Sequence, residues 1–267
     1  MRLLCSMLVV GLGLSPAAVF AQDDSADLAK KLSNPVAAMI SVPLQFNYDE
    51  GYGPNDGERL TLNIQPVIPI SLNDEWNVIS RTILPVIWQN DIAGDSGEQT
   101  GLGDITQSLF FSPKHPGPSG IIWGVGPAFL VPTGTDDLLG TGKWGAGPTA
   151  VVLKQMGGWT VGGLANHIWS FAGDDDRTDV NSTFLQPFIS YTTHNAWTFG
   201  VNTESTYNWE TEEWSVPINF TVAKLVKFDQ QPVSFTAGVR YWAESPESGP
   251  DGVGFRGVVT FLFPTGK

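Results

Sequence analysis

Four groups of residues have types and spacings that could do chemistry. Asp174, Asp175 and Asp176, with Asp179, bring carboxylates close together in the chain, and hard oxygen donors of this kind suit Ca²⁺. Their spacing is not that of an EF-hand loop. The competing reading is a solvated loop held open by its own like charges. The histidines are His115, His167 and His194. A Ser–His hydrolase needs a hydroxyl, an imidazole and a third polar group that orients the base. Ser170 lies near His167, but three residues apart on a strand sets them on opposite faces. No nucleophile–base–orienter set is visible, so no catalytic residue is assigned and only a distant Ser would make an enzyme. The glycine-rich stretches Gly101 to Ile105 and Gly140 to Trp144 lack the strand, loop and helix of a phosphate cradle. They read as turns and bulges, and no cofactor is implied. The fourth group is a scatter of charges, Arg59, Arg81, Asp104, Glu204, Arg240 and Arg256. Their meaning depends on the elements that carry them.

Those elements have a period of two. Ile40, Val42, Leu44, Phe46 and Tyr48 alternate with Ser41, Pro43, Gln45, Asn47 and Asp49. Trp214, Val216, Ile218, Phe220 and Val222 alternate with Ser215, Pro217, Asn219 and Thr221. Such strands have one apolar and one polar face. Runs of this kind fall near 39–50, 59–72, 76–92, 102–113, 120–133, 143–156, 159–172, 180–193, 197–210, 214–228, 233–246 and 253–264. About twelve strands suits an even-stranded transmembrane barrel. Between Leu102 and Phe171 the alternation blurs. By parity the six scattered charges lie on the polar faces, which in a barrel face the lumen. There they either form a salt-bridge network or line a water-filled pore and set its field.

The connections agree. Those at Asn73 to Glu75, His115 to Ser119, Gly157-Gly158, Asn195-Ala196 and Gln230 to Pro232 are short. The alternate ones are mostly longer and all acidic, among them Ala93 to Gly101, Thr135 to Gly142 and Glu244 to Gly252. Outer-membrane barrels have short periplasmic turns and longer outer loops, which puts both termini in the periplasm. Aromatics sit near many strand ends, including Trp76, Trp159, Trp197, Trp209 and Phe263, where a membrane interface favours them. A soluble sandwich explains neither pattern. Prolines 43, 66, 69, 85, 127, 148, 187 and 217 interrupt the runs. Each removes a ladder donor, so bulges or pore-lining irregularity are expected there. A hydrophobic solute could also leave sideways through a wall so weakened.

Composition bounds the partners. With 14 basic against 27 acidic residues, net −13, the chain lacks the basic face that nucleic acid requires. Arg2, the apolar run from Leu3 to Leu14 and the small Ala21 before Gln22 read as a secretory signal peptide, residues 1–21, cut after Ala21. The single cysteine, Cys5, lies within it, so the mature chain has neither a disulfide nor a Cys-based metal site. Residues 22–37 hold a helix of one or two turns, capped by Ser25, carrying Leu28 and Leu32 and stopped at Asn34-Pro35. This segment is either a loose periplasmic tail or a plug. Residues 38–267 form the barrel.

The blocks NPVAAMISVPLQFN (34–47), LNIQPVIPISLNDEWNVISRTILPVIWQ (62–89), GLGDI (101–105), WGVGPAFLVPTGTDDLLGTGKWGAGP (123–148), NHIWSFAGDDD (166–176), LQPFISY (185–191) and FLFP (261–264) carry a resemblance over nearly all of the mature chain. The chain resembles a family of bacterial outer-membrane transporters catalogued under the meta-cleavage pathway of phenol degradation, whose members often bear the misapplied name neuromedin U. The resemblance implies a barrel of this size, a transport role and solutes of aromatic or hydrophobic character. It assigns no catalytic residue.

The combined expectation is an all-β, transmembrane antiparallel barrel in the outer membrane of a Gram-negative bacterium. Its partners are the bilayer, the outer-leaflet lipid and a small solute that diffuses passively, with the oligomeric state open. Two alternatives stand beside it. One is a structural or adhesion barrel whose acidic loops bind cations, including those that bridge outer-leaflet lipid. The other is a barrel lipid hydrolase.

Overall fold

A computed structural model describes residues 17–264. Helix α1 (Ala17–Leu32) leads into β1 (Ile40–Tyr52), a short 3-10 turn (Gly53–Asn55), β2 (Gly57–Ile64), β3 (Val67–Ser71), β4 (Trp76–Asn90), β5 (Glu98–Leu102) and β6 (Ile105–Pro113). Then come β7 (Ile121–Val131), β8 (Lys143–Met156), β9 (Trp159–Gly173), β10 (Asn181–Thr192), β11 (Trp197–Thr203) and β12 (Ser205–Asn208). The chain closes with β13 (Glu213–Phe228), β14 (Gln231–Glu244) and β15 (Val253–Phe263). Three pairs are halves of one interrupted strand: β2 and β3, β5 and β6, and β11 and β12 each share neighbours. The sheet therefore has twelve staves, all antiparallel, and β9–β10 together with β15–β1 pairing closes it into a barrel. Closure gives every stave two neighbours, as hydrocarbon demands, and only the outer segment β5 pairs on one side, with β4. Among the described residues no helix is long and apolar enough to cross a membrane.

Each expected run overlaps a stave, with one addition: β5 forms within the expected outer connection Ala93 to Gly101. Some of the prolines sit where regular pairing yields, whereas Pro69 and Pro187 keep an unbroken register with Ile79 and Gly163. Pro66 lies in the gap between β2 and β3, and its carbonyl accepts from Thr82 N at 3.1 Å, while Pro43 O accepts from Gln65 N at 2.9 Å. Pro85 O takes Gly103 N, in the gap between β5 and β6, at 3.0 Å. Pro217 marks a register shift against β14, and Pro127 stands opposite Pro148. The wall nevertheless closes through all twelve staves, so the sideways exit has no opening in this structure.

Side chains divide by parity. Outward positions such as Phe46, Trp123, Val152, Ile189 and Phe235 are exposed, whereas inward Ser41, Asn47, Thr160, Ser234 and Thr260 are buried. Aromatic pairs gird both ends. Trp76 lies edge-on to Trp123, and Trp159 tilts against Tyr191, on the side of the short turns; Tyr207 packs against Trp209 and Trp214 on the other. Such belts suit the two interfaces of a bilayer.

Part of the inner face is apolar, which is why the alternation blurs from Leu102 to Phe171. Ile79, Phe110, Val151, Leu153 and Leu164 point inward and pack on Val36 of the N-terminal segment. Ala29 and Met39, with Leu28 and Leu32, pack on Ala196, Leu225 and Leu262 at the short-turn end. Burying Val36 and Met39 contributes about 1.5–3 kcal/mol each. Gln155 Nε2 donates to Lys30 O at 2.9 Å. The segment therefore sits inside the barrel mouth. Its helix is longer than expected: α1 runs through Ser25, which lies mid-helix and is no cap, because the sequence ahead of it also takes helical form. The stop at Asn34-Pro35 is as expected, with Asn34 Oδ1 accepting from Val36 N at 3.0 Å. The signal-peptide reading falls largely on residues 1–16, outside the described residues.

Candidate functional site in the barrel lumen

Strand parity aims four arginines inward, and the structure joins three of the six scattered charges with Asp49, which is not among them. Arg256 on β15 holds Glu204 by both guanidinium ends, Nη1 to Oε1 at 2.9 Å and Nη2 to Oε2 at 2.7 Å. Its Nε donates to Asn47 Oδ1 at 2.8 Å. Glu204 stands in the break between β11 and β12, where the backbone leaves the ladder. Arg240 on β14 pairs with Asp49 on β1 at 3.1 Å, and Trp242 Nε1 donates to the same carboxylate at 2.9 Å. The two strands flank β15, and its residue in that row is Gly254. A Cβ there would collide with Asp49 Oδ1, so glycine opens the lane through which the ion pair passes. Asp49 belongs to the alternating polar face of the first run, and its parity with Asn47 was the signal that could have found it.

The other arginines lie apart from this pair of bridges. Arg59 Nε donates to Gln89 Oε1 at 2.8 Å, and its guanidinium lies 4.8 Å from the Tyr52 ring centre. Arg81 Nη2 donates to Gln65 Oε1 at 3.2 Å. Buried charges need a partner or water. The lumen thus carries four arginines against Asp49 and Glu204, bridged by glutamine and asparagine amides. Arg240 and Arg256 form the ion-pair network, while Arg59 and Arg81 stand outside it on glutamine amides.

Asp104 does different work. In the break between β5 and β6, its carboxylate accepts from Gly134 N at 2.9 Å and from Thr141 N and Oγ1 at 2.6 Å each. It fastens the loop 132–142, which folds inward: Leu139 is buried, and Gln89 Nε2 reaches Leu138 O at 3.3 Å. Arg177 clamps the same loop from the next one. It donates to Asp137 O at 2.6 Å and to Gly140 O at 2.5 Å. Sequence reading passed over Arg177 because it sits among aspartates, as a loop residue without strand parity.

The acidic candidates do not converge. Asp179 pairs with Lys143 at 3.0 Å and accepts from Ser170 Oγ at 3.1 Å. These hydrogen bonds, that from Lys143 foremost, hold its carboxyl below the ordinary range. Asp174 Oδ1 caps Asp176 N at 3.1 Å. Among the described residues no three acidic or histidine groups come together as metal ligands. His167 meets Thr183 and not Ser170: its Nδ1 lies 2.7 Å from Thr183 Oγ1, to which Trp209 Nε1 also donates at 2.8 Å. Its Nε2 is buried without a partner, so the third group that would orient a catalytic base is missing.

With this geometry in view, comparison with known proteins is informative. The family model described as "Putative MetA-pathway of phenol degradation" matches residues 61–257. The chain belongs to this family. Among solved structures it is similar to the COG4313 outer membrane channel from Pseudomonas putida F1, with a TM-score of 0.65 and 16% identity over 85% of this chain and 96% of that one. Outer membrane phospholipase A from Escherichia coli is similar at a TM-score of 0.47 and 12% identity, over 84% and 92% of the two chains. The KdgM porin in complex with disordered oligogalacturonate gives 0.44 and 13%, over 85% and 99%. No curated protein matches the chain. At these identities likeness is one of fold, and the first structure alone carries weight: this family member is a barrel of the outer-membrane kind.

Proposed function

We propose that the chain is an outer-membrane channel for the passive passage of a small solute, narrowed by its own N-terminal segment. The observation that carries the reading is the lumen itself. Its middle is lined by arginines and amides with water-facing chemistry, while Val36 and α1 occupy the short-turn mouth. A barrel serving only as an anchor has no use for a cationic passage, and channels set their field with such groups. The outward-facing apolar surface and aromatic belts suit a bilayer, with the acidic loops outside and both termini in the periplasm of a Gram-negative cell. Residues 1–21 then act as a cleaved export signal, which leaves Gln22 at the front of the plug. Solutes of aromatic or hydrophobic character fit the family's description.

The test is single-channel conductance in planar bilayers, with folding verified by heat-modifiable gel mobility. Wild type is expected to conduct in small steps, deletion of residues 22–38 to enlarge them, and Arg240→Ala with Arg256→Ala to shift ion selectivity. A folded barrel silent in all three forms would overturn the reading and leave a structural or adhesion role.

A further inference from the structure

Between the N-terminal segment and the wall lies a cavity of about 290 Å³. Its charged lining is Lys31 and Arg81, with no acidic residue among the lining groups, in a chain whose net charge is −13. Arg81 reaches it from β4. A guanidinium has five N–H donors, and the side-chain acceptor recorded for this one is Gln65. Glu204, the carboxylate whose charge Arg81 feels, is already engaged at both oxygens by Arg256. A half-buried guanidinium aimed into a cavity, with donors to spare, is an open site for an anion. On the far side, on β10, Ser190 lines the same cavity with its Oγ buried and unpartnered. Phe188, Val67 and Met39 supply an apolar lining.

We propose that this cavity binds a small organic monoanion, a carboxylate on an aryl or short alkyl body. The planar guanidinium fork matches a carboxylate at two oxygens. The apolar lining selects an organic body over a bare inorganic ion, and the volume, at the small end for ligand sites, holds one ring and little more. Ser190 offers a hydroxyl to a polar edge of the guest. The proposal deepens the channel reading, on which it rests for its physiological sense, by naming the solute class that the passage holds.

The experiment is calorimetric titration of the full folded chain in detergent with benzoate, with benzyl alcohol and acetate as comparators. Saturable one-to-one benzoate binding is expected. It should weaken at least tenfold in Arg81→Gln and a few-fold in Ser190→Ala, with acetate weaker than benzoate and benzyl alcohol not binding. Arg81→Lys, which keeps the charge but loses the fork, should fall between wild type and Arg81→Gln and stands in should the latter fail to fold. Benzoate binding unchanged in these variants, benzyl alcohol binding as tightly as benzoate, or no benzoate binding to folded wild type would each overturn the proposal. Binding in detergent requires no passage. A chain that binds benzoate but never conducts sinks the channel reading alone, and one that conducts without binding sinks this inference alone.

Discussion

Glu204 and Arg256 meet end to end inside the barrel, at 2.9 and 2.7 Å, although β13 and β14 separate the staves that carry them. The pair thus ties one arc of the wall to another through the lumen. Removing one partner of a buried pair costs about 3–5 kcal/mol, because the other charge is left without compensation. Glu204→Gln and Arg256→Met should therefore each lower the urea midpoint of the folded band in lipid vesicles, and the double variant should recover part of the loss. Strictly additive losses would show that the two side chains act independently.

Gly254 tests the second bridge. A side chain there would strike both Asp49 Oδ1 and the Tyr48 carbonyl, parting Asp49 from Arg240. Gly257, on the same strand, has open space around the equivalent position. Gly254→Ala is expected to destabilise the barrel by about 3 kcal/mol, while Gly257→Ala is neutral within about 0.5 kcal/mol. Equal effects in the same unfolding assay would remove the lane from the account of this ion pair.

The inward loop makes a kinetic prediction. Asp104 and Arg177 hold loop 132–142 by hydrogen bonds from opposite sides. Asp104→Ala or Arg177→Ala should free it, so that protease cuts near Asp136-Asp137 at least several-fold faster and channel current becomes noisier. Neither substitution touches the N-terminal segment, so the step size of the plug-deleted form should rise further when either is added. An unchanged cutting rate in both would mean that Leu139 packing alone keeps the loop in.

Parity and loop length carried the fold in the sequence because both are local: a period of two marks a strand, and alternate short and acidic connections mark the two ends. The same parity placed Arg59, Arg81, Glu204, Arg240 and Arg256 in the lumen. It could not pair them, since the Glu204–Arg256 contact spans 52 positions and depends on the break at Glu204. Asp104 was legible as inward but not as a loop fastener, because its partners Gly134 and Thr141 come from a loop with no periodicity. Nor could Val36 be fixed as lumen filler. Its apolar partners lie on β4, β6, β8 and β9, on inward positions that parity alone would have made polar.

Acid should open the outer mouth through Asp179. Lys143 and Ser170 hydrogen-bond its carboxylate and hold its pKa below the ordinary carboxylate range. A group whose folded pKa is depressed contributes its full stabilisation above the unfolded value and loses it as pH falls through the folded one. The 174–179 loop should therefore stay resistant to an acid-stable protease, such as pepsin, down to the ordinary carboxylate range and become susceptible below it. Because Asp179 is exposed, molar salt should reproduce part of the effect at neutral pH. Asp179→Asn removes the titrating group, so its loop should be susceptible at every pH with no acid step of its own. An acid step toward susceptibility that survives unchanged in Asp179→Asn would show that the Lys143–Asp179 bridge is not what holds the loop.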